Sequence, residues 1–161
     1  MVKSIEGKRM EYYEAIIQLR DIEQEVYDFS IEAIEKGKIH IAKVEDVKGG
    51  VDIYLADRDF AKTLGKKLQL KFGGKLLLSA SLYGIKDGRE IFRVTILFRG
   101  VTFVKGDRVD YKGDECTVKT VAKKIVLQHV KSGKIVRVKY KEMEKIKKTN
   151  SEQYVLTGGN T

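Results

Sequence analysis

The period of the hydrophobic pattern changes near Gly100, and no other feature of this sequence constrains the fold as strongly. Before Gly100, segments with an apolar residue at every second position alternate with two segments in which apolar residues recur at helical spacing. After it, only short alternating segments remain, separated by turn residues at roughly 8–12-residue intervals. We therefore predict an α+β protein with two domains, at residues 10–100 and 101–148, followed by a flexible tail at 149–161.

The first domain is predicted to have the element order β-α-β-β-α-β-β. Its first helix has Asp21 as N-cap and ends at Gly37; its second has Asp57 as N-cap and ends at residues 73–74. Glycine-containing turns join paired strands at residues 48–50 and 86–88, the second turn between strands at 75–83 and 90–98. Because each helix carries one apolar stripe, a two-layer sandwich with both helices on one face of the sheet buries both stripes.

The second domain is predicted to consist of short strands only. Alternating segments lie at residues 108–111, 116–121, 125–130 and 135–140, and residues 141–146 form a single turn or a further short strand. Four or five short strands joined by tight turns are typical of a small barrel, here of SH3-like type.

Positive charge is concentrated in the second domain. The chain has 32 Lys and Arg against 23 Asp and Glu, a net charge of +9. Residues 103–148 hold 14 basic and 6 acidic residues, so one stretch carries +8 of that surplus. A localised surplus of this kind attracts polyanions, which favours RNA binding.

The candidate RNA-binding residues are the exposed cations of the predicted barrel and of the second helix. They are Lys123, Lys124, Lys131, Lys134, Arg137, Lys139 and Lys141, with Lys66, Lys67 and Lys71 as a secondary patch. Arg137, Lys139 and Lys141 alternate along one predicted strand, so their side chains should share a face and follow a phosphate backbone. Because no row of exposed aromatic rings accompanies them, we expect structured RNA rather than single strands.

Motifs for catalysis, metal binding and membrane insertion are absent from the sequence. It has no phosphate-binding loop, and His40 and His129 are too far apart in sequence to suggest a metal site. Asp46 and Asp52 flank a hairpin, where solvated charges are far commoner than acid–base pairs. We therefore expect no enzyme activity, cofactor, metal or small-molecule substrate.

The cellular location is predicted from the cysteine count and the lack of long apolar runs. A lone cysteine, Cys116, lies within an alternating segment, which favours a buried structural thiol in a reducing compartment. No apolar run is long enough to cross a bilayer, and the first residues lack the apolar stretch of a secretory signal. We expect a cytoplasmic protein without a membrane partner.

Four stretches of the sequence resemble the nonsense-mediated-decay-protein-three family, which comprises the large-ribosomal-subunit export adaptor of eukaryotes and its archaeal relatives. The first is Tyr-Tyr-Glu-Ala-Ile-Ile-Gln-Leu-Arg at residues 12–20, and the second is Val-Lys-Gly-Gly-Val-Asp-Ile-Tyr-Leu at 47–55. The third comprises residues 71–74 and the hairpin to 93–94. The fourth runs from 106–107 through 123–124 to 137–138 and 141–143. Together they cover roughly residues 11–148.

This resemblance implies a non-catalytic protein that binds the large ribosomal subunit, in contact with ribosomal RNA and neighbouring ribosomal proteins. The barrel region is similar to that of translation factor five-A. For an archaeal member the implied role is ribosome assembly or quality control. Family members carry a zinc module of paired Cys-x-x-Cys motifs before the Tyr-rich strand, whereas eleven residues precede Tyr12 here and none is cysteine.

Two other functions are compatible with the same residues. The alternating strands and the acidic first helix would also suit a protein–protein interaction module without direct RNA binding. Salt distinguishes the two, because phosphate contacts weaken steeply as salt rises, whereas an apolar interface changes little. A small-molecule enzyme is the third possibility, and it requires a pocket with converging polar groups.

Overall fold

The computed structural model describes Gly7, residues 9–122 and residues 124–149. These residues form two five-stranded sheets and two α-helices, so the predicted α+β class is confirmed. They fall into two compact units that divide between Gly100 and Val101. Of the predicted tail at 149–161, only Thr149 lies within the described residues.

The first unit contains five strands and both α-helices. In chain order these are β1 (Ala15–Arg20), α1 (Gln24–Lys36), β2 (Ile41–Val47), β3 (Gly50–Leu55), α2 (Arg58–Phe72), β4 (Gly74–Lys86) and β5 (Arg89–Gly100). The order across the sheet is β2-β3-β1-β5-β4. β1 runs parallel to β5, and the other neighbouring strands are antiparallel.

The core of the first unit lies between the helices and one face of this sheet. Ala15, Ile17 and Leu19 of β1 are fully buried there, as the alternating pattern requires. Leu64 and Leu68 of α2 complete the same cluster, to which α1 also contributes. The other face of the sheet carries neither α1 nor α2.

The two helix N-termini differ in how well the sequence predicts them. The carboxylate of Asp57 accepts a hydrogen bond from the backbone N–H of Phe60 at 2.9 Å, which confirms it as the cap of α2. The predicted cap Asp21 is wrong, because α1 begins after Glu23. Asp21 instead adopts a left-handed φ of 51°, and its carboxylate accepts from Arg99 Nη1 at 2.7 Å.

Two neighbouring glycines shape the turn between β2 and β3 for different reasons. Gly49 has a φ of 83°, which side chains other than glycine rarely adopt. A Cβ atom at Gly50 would lie 1.8 Å from the carbonyl oxygen of Leu19. Gly50 therefore allows β3 to approach the end of β1, with which it pairs.

The described residues of the second unit form five short strands and one 3-10 helix. These are β6 (Arg108–Tyr111), β7 (Asp114–Val121), β8 (Ile125–His129), β9 (Ile135–Val138), the 3-10 helix (Tyr140–Lys145) and β10 (Ile146–Lys148). All neighbouring strands are antiparallel, in the order β10-β6-β7-β8-β9. The predicted strand at 135–140 is too long, because the chain turns into the 3-10 helix after Lys139.

The second unit has a separate core on one face of its sheet. Val109, Cys116, Val118, Ile125 and Leu127 are fully buried in it. Within the described residues, the strand pairings leave β9 at one edge of the sheet and β10 at the other.

Candidate nucleic-acid interface

Six of the seven cations predicted on the barrel lie on β9 or on the segments beside it, and all six are exposed. Arg137 belongs to β9 itself, and Lys139 directly follows the strand. The others occupy the turn before β8, the turn between β8 and β9, and the 3-10 helix: Lys124, Lys131, Lys134 and Lys141. We call these six residues the β9 edge. The seventh predicted cation, Lys123, lies outside the described residues.

The β9 edge presents its cations along the length of the β8–β9 pair. Ile125 pairs with Val138, so their chain neighbours Lys124 and Lys139 lie at the same end of the pair. The turn at residues 130–134 closes the opposite end, and Arg137 pairs with Val126 between them. A strand of five residues such as β8 spans about 16 Å. The cations therefore form a line rather than a single cluster.

The predicted row of Arg137, Lys139 and Lys141 is only partly correct. Their exposure alternates with the buried side chains of Val138 and Tyr140, as expected for one outward face. Of the three, however, only Arg137 lies within β9, and Lys141 belongs to the 3-10 helix. The row therefore bends where the strand ends.

Hydrogen bonds that do not involve the lysine side chains hold the turn between β8 and β9. Gly133 has a φ of 74°, and its N–H donates to the carbonyl of His129 at 2.9 Å. The side-chain amide of Gln128 donates to the Gly133 carbonyl at 3.1 Å, and Lys134 N–H donates to Ser132 Oγ at 3.2 Å. The ammonium groups of Lys131 and Lys134 are not needed to form this turn.

Tyr140 positions the neighbouring turn that carries Lys124. Its buried hydroxyl donates a hydrogen bond to the carbonyl of Ala122, eighteen residues earlier in the chain. Burial raises the pKa of Tyr140, so the hydroxyl keeps the proton that it donates. The alternating pattern places Tyr140 on the inner face, but the partner of its hydroxyl depends on tertiary structure.

Acidic residues are excluded from the stretch that forms the β9 edge. Between Glu115 and Glu142 the chain holds eight Lys and Arg residues and no Asp or Glu, a signal that the charge count by domain overlooks. Within the described part of the chain, none of the six β9-edge cations has an ion-pair partner. Elsewhere in the second unit Arg108 lies 3.6 Å from Glu115, and Lys145 lies 3.3 Å from Glu142.

The predicted secondary patch lies on the first unit. Lys66, Lys67 and Lys71 are all exposed on α2. The ammonium group of Lys71 lies 5.4 Å from the ring centroid of Phe29 and 5.6 Å from that of Phe72, within the range of cation–π attraction. Lys71 thus already contacts two aromatic rings.

The thiol of the second unit is buried, as predicted. Cys116 is fully buried, and burial raises the pKa of its thiol, with the carboxylates of Asp114, Asp110 and Glu115 adding to the effect. A thiol of this kind is a poor nucleophile.

Among the described residues, no three His, Cys, Asp or Glu side chains are grouped as metal ligands. No helix in the same residues combines the length and apolar character of a membrane span.

The two hairpin carboxylates lie on opposite faces of their strands. Asp46 pairs with Val51, and Asp52 pairs with Glu45, so the alternation of side chains separates them. Asp52 is buried and lies 2.8 Å from Arg20 Nη1. It therefore belongs to a structural ion pair, and the two carboxylates do not form an acid–base couple.

Comparison with known proteins places the first unit in a family. The family model described as NMD3, second domain, matches residues 12–99, which is more than half of the chain. A search of curated proteins found no match to this chain. The matched residues run from just before β1 to the penultimate residue of β5. They include three of the four stretches on which the resemblance depends, 12–20, 47–55 and 71–74 with the hairpin to 93–94, so this prediction is confirmed. The chain belongs to the NMD3 family.

Proposed function

We propose that this chain is a non-catalytic factor that binds the large ribosomal subunit and acts in its assembly or quality control. In this proposal the β9 edge contacts the phosphate backbone of ribosomal RNA, beside neighbouring ribosomal proteins. Family membership supports a ribosome-related role. The RNA contact is carried by one observation, the six exposed cations that lack ion-pair partners within the described residues.

The charges of the two units support this choice of surface. Three arginines of the first unit already pair with carboxylates: Arg20 with Asp52 at 2.8 Å, Arg99 with Asp21 at 2.7 Å and Arg58 with Glu14 at 3.5 Å. A phosphate would have to compete with these partners. At the β9 edge each cation can neutralise a phosphate and release its counterion without breaking an ion pair. Arg137 can also bind a phosphate through two parallel hydrogen bonds.

We further propose that the two units are separate domains and that the second is an SH3-like barrel. After the 3-10 helix, β10 returns to pair with β6, so the last strand of the unit lies beside the first. Residues from all these strands share one core. The curled arrangement of a small barrel would bury that core on all sides. We also propose a cytoplasmic location, which suits a single buried thiol.

The experiment that tests the RNA contact is co-sedimentation with purified large ribosomal subunits. A triple variant, Lys124→Glu, Lys134→Glu and Arg137→Glu, reverses charge at both ends of the β8–β9 pair and on β9 itself. We expect it to remain in the supernatant under conditions in which the wild-type chain sediments.

The matched control reverses three exposed lysines away from the β9 edge: Lys105→Glu, Lys112→Glu and Lys147→Glu. It has the same net charge as the test variant and should sediment like the wild type. Equal losses in both variants would show that net charge alone governs binding. Normal sedimentation of the test variant would remove the β9 edge from the proposal.

A further inference from the structure

The hairpin of β4 and β5 extends beyond the rest of the first sheet. The two strands pair as far as Lys86 and Arg89, whereas β5 pairs with β1 only from Val94 to Arg99. Residues 81–93 therefore form a two-stranded ribbon, and no other described strand pairs with it. We call this ribbon the arm.

The outer strand of the arm carries neither charge nor proline over ten residues, and its pairing with β5 shifts register between Leu82 and Gly84. β4 is the edge strand of the first sheet, and residues 76–85 contain no charged residue and no proline. Leu78, Leu82 and Ile85 are 49%, 54% and 71% exposed. Native edge strands are normally blocked by charge, proline or a covering segment, because their free N–H and C=O groups can pair with another strand. Along residues 76–85, β4 has neither charge nor proline, and no described strand pairs with its outer edge.

Five side chains of the first unit form a continuous series of contacts between cations and aromatic rings. Arg93 lies between two tyrosines, 3.8 Å from the ring centroid of Tyr13 and 3.7 Å from that of Tyr83. Tyr13 also contacts Tyr54 edge to face at 4.9 Å, and Lys43 lies 5.1 Å from the Tyr54 ring. Tyrosine and arginine are the residues most enriched at the energetic centres of protein interfaces.

A cavity of about 410 Å³ lies at the side of the arm, next to Tyr83 and Ile91. Among the described residues, its charged lining side chains are three cations and one carboxylate: Arg9, Lys86, Arg93 and Glu11. Glu11 lies 3.8 Å from Arg9, which leaves Lys86 and Arg93 as the excess positive charge. The cavity is therefore suited to a carboxylate.

We propose that β4 and this cavity bind an extended apolar segment of a partner protein that ends in acidic residues. The segment would pair with β4 as a sixth strand, as peptides do when they add to exposed sheet edges. Its acidic end would enter the cavity beside Lys86 and Arg93. This site is distinct from the β9 edge and does not depend on RNA binding.

Charge favours a protein segment of this kind over a second copy of the chain or an RNA strand. The hairpin at residues 74–100 holds five Lys and Arg against two Asp and Glu, and the whole chain carries +9, so two copies would repel. RNA is disfavoured because residues 76–85 offer free backbone groups and exposed apolar side chains but no cation, whereas binding a phosphate backbone requires several cations. An acidic, apolar strand meets neither obstacle.

The test uses the full chain, labelled with nitrogen-15, and two synthetic peptides. One peptide is an alternating Val-Thr strand that ends in two glutamates, and the other ends in two lysines. We expect the acidic peptide to shift the amide resonances of residues 76–85 and to slow their hydrogen exchange. The lysine peptide should bind at least about tenfold more weakly, because its charges face Lys86 and Arg93.

Variants localise the site without disturbing the core. Leu78→Lys with Leu82→Lys places charge on the exposed edge and should abolish the response, whereas Leu70→Lys, at an exposed position of α2, should keep it. Lys86→Glu should reverse the preference between the two peptides while the spectrum of the free protein stays folded. Three results would overturn the proposal: equal responses to both peptides, shifts confined to other residues, or a dimer of the free chain that hides β4.

Discussion

Replacing Lys131 and Lys134 by Gln should reduce the salt dependence of RNA binding by a calculable amount. Both ammonium groups are exposed, and hydrogen bonds of Gln128, Ser132 and the Gly133 backbone hold the turn that carries them. The change should therefore leave the fold intact and remove two phosphate contacts. The quantity to measure is the slope of log K against log salt concentration.

The expected size follows from the number of cations at the β9 edge. If each of the six contacts one phosphate, a coefficient of about −0.8 per phosphate, midway between the duplex and single-strand values, gives a slope of about −4.8, and two substitutions should bring it to about −3.2. Between 50 and 200 mM salt, six contacts weaken binding about 800-fold and four contacts about 80-fold. At 0.1 M salt the double variant should bind about 40-fold more weakly than the wild type.

Fluorescence anisotropy with a labelled RNA hairpin measures both quantities. The matched control is Lys112→Gln with Lys147→Gln, which removes the same charge from exposed positions on β10 and the turn between β6 and β7. Its slope should equal that of the wild type. If the two double variants lower the slope equally, the β9 edge is not where phosphates bind. An unchanged slope in the Lys131 and Lys134 variant would refute the same reasoning.

Three further predictions concern stability. Gly50→Ala should lower the free energy of unfolding by about 3 kcal/mol in urea denaturation, since its Cβ meets backbone at 1.8 Å, whereas Gly84→Ala, with open space around it, should change it little. Tyr140→Phe should lower the free energy of unfolding by about 1 kcal/mol, because the hydrogen bond to the Ala122 carbonyl is lost. Tyr111→Phe is the control, and an equal decrease in its free energy of unfolding would contradict a specific role for that bond. The raised pKa of Cys116 means that the folded state holds the thiol proton longer than the unfolded state. The contribution of this thiol to stability should therefore be full below its ordinary pKa of 9.0 and should fall as pH rises above that value. Cys116→Ala should flatten the decline of the urea midpoint above pH 9. An unchanged decline in the variant would refute this.

Local signals predict most of the first unit, and long-range contacts explain the errors. Asp57 caps α2 through a hydrogen bond three residues away, so local sequence is enough to identify it. Asp21 has the same chemistry, but its carboxylate is taken by Arg99, 78 residues later. The β4–β5 hairpin is longer than the predicted strands at 75–83 and 90–98, because the two strands continue to pair beyond Val94, which pairs with the first residue of β1.

The candidate interface is predictable in its residues but not in its arrangement. Alternation correctly separates outward Arg137 and Lys139 from inward Val138 and Tyr140. That β9 is an edge strand depends on which strands pair, and no local pattern reports this. The 3-10 helix after Lys139 shares the alternating pattern of a strand at its start, so periodicity assigns Lys141 to the wrong element.

The stack of Arg93 between Tyr13 and Tyr83 has a consequence for how the arm would associate with a partner. A two-stranded ribbon in water is marginally stable when nothing else supports it. Here the stack joins the ribbon to Tyr13, two residues before β1, and Arg93 Nε also donates to the Tyr13 carbonyl at 3.2 Å. The arm is preorganised, so little conformational entropy is lost when it is bound. Loss of the Arg93 side chain would then slow association even where it removes no contact with the partner.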